Sequence, residues 1–274
     1  MRSNDALAGR DVSSDRGSDF TSPALVRLLA AHAPVDIASS GLDIAERLSP
    51  WLDTFDAIGL QSSLQTIRTL REPIALRRGE RPRSAADLRA DAQRTRAALA
   101  HAIGQEVLLV ALAGDPLAEL QRRRSGGASS ALTAQSRADA VAAAYQHRHL
   151  ELARQMEQLI SPLRDHVRQS VGRISGRLRQ LAALDEALEA VTAKREQAVM
   201  PVTATLATRR LAHWHETLAG EEASGDPAHW RQPGGWLHAF EQEWRQALAA
   251  EADLRMEPVI GLIEALDQEL KQAT

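Results

Sequence analysis

One run of apolar residues limits this chain more than any other feature. Placed at about 100° per residue, Met156, Leu159, Leu163, Val167, Val171, Ile174, Leu178, Leu181 and Leu188 share one sector about 120° wide. A stripe of that kind is one face of a helix. Its mean spacing, near ~3.6, predicts a straight or weakly coiling element. Unbroken from Arg137 to Val199, the helix would be roughly 90 Å long, wider than any globular core. It must then lie lengthwise against other helices, as a hairpin or an elongated bundle.

The rest of the chain agrees with an all-α fold. Ala and Leu make up roughly 30% of the residues, a strong bias to helix formers. Nowhere do β-branched residues alternate with polar ones over a strand length. Thr21-Ser22-Pro23 predicts a capped helix start, with Leu25, Val26, Leu28 and Leu29 as its apolar face. Leu42, Ala45, Leu48, Leu52 and Phe55 keep helical spacing across Ser49-Pro50, so two short helices are expected, the second ending near Ile67. Pro73, Gly79 and Pro82 mark residues 68–83 as a loop. Ser84 and Asp87 then resemble a capping box for a helix running to about Ala113. Ser161-Pro162 and Met200-Pro201 each predict a kink or a helix start, with a further helix from Pro201 to Leu218. A final helix runs from Trp236 to about Leu270. Its stripe is Trp236, Phe240, Trp244, Leu248, Val259, Leu262, Ile263 and Leu266, with a bend at Pro258.

This reading divides the chain into a polar tail (1–20), an N-terminal helical part (21–120), a linker (121–136) and a long helical hairpin or bundle (137–274). The start has no apolar secretory core, and no stretch is long enough to span a bilayer. A cytoplasmic protein is expected.

Candidate chemistry is sparse. The chain has no cysteine, which removes disulfides, thiolate metal ligands and a thiol nucleophile. His213 and His215 sit two apart and point to different sides of a helix, as do His147 and His149, so neither pair suits one metal ion. No phosphate-binding glycine loop, dinucleotide fingerprint or nucleophile elbow is found. Neither enzymatic activity, nor a cofactor, nor a metal is expected. Asp185 and Glu189, at i,i+4, read as a solvated face, and the arginines from Arg164 to Arg179 as a solvated rim beside the stripe.

Two features point towards partners. Trp214, Trp230, Trp236 and Trp244 gather four of the five tryptophans within a short span, Trp230 in a Gly/Pro-rich loop where it either docks or meets a partner. Residues 68–96 hold nine arginines against four acids, whereas 216–274 hold twelve acids against four bases. That asymmetry can steer segments or subunits together. The arginines Arg71, Arg77, Arg78, Arg81 and Arg83 would serve an alternative reading, contact with nucleic acid, although a net charge of −3 argues against it.

The segments SPALVRLLA, ERLSPWLDTFDAIGLQSSL, MEQLISPLRDHVRQSVGRISGRLRQLAALDEALEAVTAKRE and LAAEADLRMEPVIGLIEALDQE resemble, in that order, an uncharacterised proteobacterial domain-of-unknown-function family. The long polar start and the loop GEEASGDPAHWRQPGG depart from it. The resemblance implies genes near MotA/TolQ/ExbB-like proton channels, OmpA-like peptidoglycan-binding proteins and other coiled-coil proteins. It therefore implies an accessory of an ion-driven envelope motor, used in defence or stress response. The expected protein is a non-enzymatic helical adaptor that binds another helical protein or a second copy of itself.

Overall fold

The computed structural model describes residues 24, 25, 27, 54–76, 79, 81–105, 130–222 and 230–272, the side chains of 130–138, 194–202, 215 and 218–222 excepted. The fold is all-α, with no strand among the described residues. Among the described residues five helices carry it: α1 (Thr54–Thr69), α2 (Ala85–Gly104), α3 (Ser130–Val171), α4 (Gly176–Glu222) and α5 (Trp236–Gln272).

Helix starts follow local chemistry. Ser84 caps α2: its hydroxyl accepts from the Asp87 amide at 3.1 Å, and the Asp87 carboxylate accepts from the Ser84 amide at 3.2 Å. This reciprocal pair satisfies two otherwise orphaned donors, and it holds Asp87 below its ordinary pKa. Ser175 does the same for α4, accepting from the Leu178 amide. The described part of α2 ends at Gly104, with Gln105 extended, so residues 106–113 of the expected helix lie outside the description. Ala24, Leu25 and Arg27 are helical, and the rest of that first expected helix, like the one expected over 42–49, also lies outside it.

The single helix expected from Arg137 to Val199 is two helices. α3 starts earlier, at Ser130, within the stretch whose composition reads as linker. It stops at Val171, and α4 begins at Gly176. The break is set by contact with the segment after α1. The Ile74 amide donates to the Gly172 carbonyl at 2.9 Å, and Arg179 donates to the Glu72 carbonyl at 3.0 Å. At Gly176 an added Cβ would overlap the carbonyl of Arg71, so only glycine lets the two backbones meet. The expected start at Pro201 is also corrected: α4 runs through that position to Glu222. Pro162 and Pro258 sit inside α3 and α5, the latter within the final helix as expected.

Partner numbers give the directions. From Arg164–Asp185 to His149–Thr203, one number falls as the other rises, so α3 and α4 are antiparallel. Arg210–Glu243 and Ser175–Glu269 make α4 and α5 antiparallel, and Arg89–Asp267 and Arg96–Asp253 do so for α2 and α5. Tyr145–Glu241 and Arg255–Ala153 make α3 and α5 parallel. α3 and α5 therefore form a central pair, with α2 and α4 in contact with both. One core joins all four, from Leu88 and Leu99 on α2 to Met156 and Val167 on α3, Leu178 on α4, and Phe240, Leu248, Met256 and Leu266 on α5. The eight stripe residues expected on α5 are all buried. α1 packs on α4 and buries no residue fully.

Candidate functional site

The tryptophans are mostly interior. Trp236 and Trp244 are buried on α5, and Trp230, just ahead of it, is only 4% exposed, its ring 5.5 Å from that of Trp236. Trp230 is thus docked rather than offered. Trp214 is half-buried on α4; its indole donates to Glu243 at 3.0 Å, and Arg210 lies 5.6 Å from its ring centre. All four look towards α5 or sit on it, so the aromatic span seals the C-terminal helix to the bundle.

Of the arginines, Arg71, Arg81 and Arg83 are exposed along the connection between α1 and α2, and Arg77 and Arg78 lie outside the described residues. The neighbouring arginines of α2 are engaged. Arg89 pairs with Asp267 and Arg96 with Asp253, at 2.9 and 3.0 Å, and Arg94 pairs with Asp91. The charge asymmetry read in the sequence thus meets within the chain, between α2 and α5.

Two polar clusters interrupt the core, and neither was evident from spacing. In the first, Tyr145 donates to buried Glu241, which also faces Arg231 and Arg245 at 3.3 Å each. Burial and the Glu241 charge push the Tyr145 phenol well above its ordinary range. In the second, the Trp244 indole donates to Nδ1 of His149 at 3.3 Å. Nε2 of His149 lies 3.1 Å from the Thr203 hydroxyl and 3.9 Å from Glu251. Thr203 also hydrogen-bonds to Glu251, and Arg255 pairs with Glu251 at 2.6 Å.

The tautomer decides what this second cluster can do. Trp only donates, so Nδ1 accepts, and the ring proton sits on Nε2, facing Thr203. His149 cannot then take a proton from that hydroxyl. The set has the members of a nucleophile–base–acid triad without its wiring. Burial, aided by the Arg255 charge, lowers the His149 pKa to about 4 and keeps the ring neutral. Burial raises Glu251, against the pull of Arg255 and Thr203.

The expected solvated rim is partly a buried network. Arg164 donates to both Asp185 oxygens, at 2.8 and 2.6 Å, and to Glu189 at 2.9 Å. Arg168 donates to Asp185 at 2.7 Å and reaches Glu189 at 2.6 Å, with its side chain only 8% exposed. Burial would raise Asp185, but the two guanidiniums outweigh it and hold the carboxyl below its ordinary value. The readable signal is two i,i+4 charge pairs of opposite sign on either side of Val171-Gly172-Arg173-Ile174-Ser175-Gly176.

An open surface lies elsewhere. A groove of about 370 Å³ runs between α1, the first turns of α4 and the last turns of α5. Leu64, Ile67, Leu178, Leu181, Leu184 and Ala265 form its floor, and Arg68, Arg177, Gln180 and Glu269 stand along it. On α1, Phe55 is 85% exposed and Ile58 59%. Helical spacing puts these two on the other side of α1 from Leu64 and Ile67, so the exposed apolar residues and the groove are separate surfaces, each suited to contact.

No curated protein and no solved structure matches the chain. A family described as "Protein of unknown function (DUF3348)" matches residues 12–268. That span holds every helix named above except the last turn of α5, and the chain belongs to the DUF3348 family.

Proposed function

We propose that this chain is a non-enzymatic, all-helical adaptor: a cytoplasmic accessory that binds another helical protein of an ion-driven, MotA/TolQ/ExbB-like envelope motor, in defence or stress response. The observation that carries the adaptor reading is the exposed apolar face near the start of α1, formed by Phe55 and Ile58. Burying so much apolar side chain elsewhere while leaving Phe55 bare favours a partner at that face. The motor assignment rests on the family resemblance. Among the described residues no helix is long and apolar enough to cross a membrane, so contact with a channel would be made at its soluble parts.

The lack of cysteine gives a clean test. Phe55→Cys or Ile58→Cys, co-expressed with the MotA/TolQ/ExbB-like and OmpA-like proteins of the same genome, accepts a thiol-directed photocrosslinker at one site. A crosslink to either protein supports the reading. Crosslinks to neither, with the protein folded, overturn the motor assignment.

Arg71, Arg81 and Arg83, exposed along one connection, favour nucleic-acid contact as a second reading. Against it, Arg89 and Arg96 are committed to carboxylates of α5. Anisotropy with a labelled duplex and single strand at low salt decides it: binding that weakens steeply with salt would support it, and no binding would end it.

A further inference from the structure

The groove has a charge as well as a shape. Arg68 closes α1, and Arg71 follows, its carbonyl against Gly176; neither guanidinium has a carboxylate partner among the described residues. Arg177 stands on the first turn of α4 with its side chain 78% exposed. Its nearest acid is Glu269, at 3.9 Å, and that carboxylate already accepts from the Ser175 hydroxyl at 2.8 Å. Arg179 donates to a backbone carbonyl, that of Glu72. The charged side chains of the groove's own lining are thus two arginines, Arg68 and Arg177, against one acid, Glu269, with Arg71 and Arg179 on the adjoining turns.

We propose that the groove takes the apolar face of an amphipathic helix from another protein, one whose flanking positions are Asp and Glu. The floor is aliphatic and elongated between helices, which suits anchors at i, i+3 or i+4, and i+7. The arginine rim would meet carboxylates on either side of those anchors and disfavour a basic helix. This inference rests on the adaptor reading and adds the chemistry of the partner.

The test uses the full chain and a synthetic helix of about 18 residues, long enough to hold helical structure. Its anchors are Leu at helical spacing and its flanks Glu; a matched peptide carries Lys instead. By fluorescence anisotropy, the Glu peptide should bind at least about tenfold more tightly than the Lys peptide, and the gap should shrink as salt rises from about 50 to about 300 mM. The double variant Arg68→Glu/Arg177→Glu should reverse the order. Leu64→Glu, at an exposed position, should weaken the Glu peptide at least about tenfold while leaving the helical circular dichroism and Tm unchanged. Equal binding of both peptides, no binding of either, or no effect of Leu64→Glu would overturn the proposal. So would a dimer in sedimentation that Leu64→Glu dissolves, since a second copy would then fill the groove. The two readings fail separately. Crosslinks from Phe55→Cys to the channel that survive Leu64→Glu keep the adaptor and remove the groove. Glu-peptide binding without such crosslinks keeps the groove and removes the motor.

Discussion

Trp244 on α5 holds His149 on α3 by an indole hydrogen bond of 3.3 Å to Nδ1, and both residues are buried. The bond fixes the neutral ring in one tautomer, with its proton towards Thr203 on α4. One imidazole therefore ties three helices together, and only while it stays uncharged.

That dependence gives a pH signature. Burial lowers the His149 pKa to about 4 in the fold, against an ordinary 6.5. The unfolded chain therefore takes up a proton first as pH falls. The stabilisation is complete above about pH 6.5 and is lost progressively down to about pH 4, by about 3 kcal/mol. Glu251, raised by burial, works in the opposite sense, since its folded form takes up a proton more readily than its unfolded form. His149→Gln keeps a donor towards Thr203 and removes the titration. Urea unfolding at about pH 7 and about pH 4 should show wild type losing about 3 kcal/mol relative to the variant. Parallel pH dependence in the two proteins would rule the assignment out.

Gly176→Ala tests the junction of α1 and α4. A methyl there would overlap the Arg71 carbonyl, and the contact is backbone, which cannot rotate away. We expect about 3 kcal/mol of destabilisation, read as a lower urea midpoint, in line with overpacking of a close contact. Gly59→Ala, where an added Cβ meets nothing within 4 Å, is the control, expected to be neutral or slightly stabilising. Equal midpoints for the two variants would mean that the 70–76 segment does not rest on α4.

Asp185→Asn probes the network between α3 and α4. The substitution leaves Arg164 and Arg168 facing a neutral amide, with Arg168 almost wholly buried. Removing one member of a buried ion cluster costs about 3 kcal/mol. Arg94→Ala, which breaks an exposed pair within one turn of α2, should not move the midpoint measurably. A similar response from both would show that the interhelical network carries no more weight than a surface pair.

What the sequence reveals and what it hides divides along the range of each interaction. The capping box of Ser84 and Asp87 and the eight-residue stripe of α5 are legible because their partners lie within a few residues. The break at Gly172–Ser175 is not, because the apolar phase runs through it: Val171, Ile174 and Leu178 all face the same core. The reason for glycine at 176 lies with Arg71, more than a hundred residues earlier in the chain. Asp185 and Glu189 look solvated until that turn folds them back onto Arg164 and Arg168. Trp230 is settled only by the ring of Trp236. The groove escapes sequence reading for the same cause, since its floor comes from three helices far apart in the chain.

Leu88 on α2 tests whether that helix unfolds with the helices that follow residue 130. Leu88 is fully buried and shares its core with α3 and α5. Leu88→Ala should therefore cost about 3 kcal/mol, the usual range for an aliphatic side chain that leaves a cavity. Its neighbour Arg89 pairs with Asp267 at 2.9 Å, but its side chain is 44% exposed, and solvent screens the pair. Arg89→Ala should shift the midpoint too little to resolve. Because one core spans both parts of the chain, circular dichroism and tryptophan fluorescence should give coincident transitions in both proteins. Four of the five tryptophans lie beyond α2, and with Trp51→Phe as the common background fluorescence reports the C-terminal helices. A Leu88→Ala protein whose helicity drops in a first step, with tryptophan fluorescence unchanged, would show that α2 docks on α5 without sharing its cooperative unit.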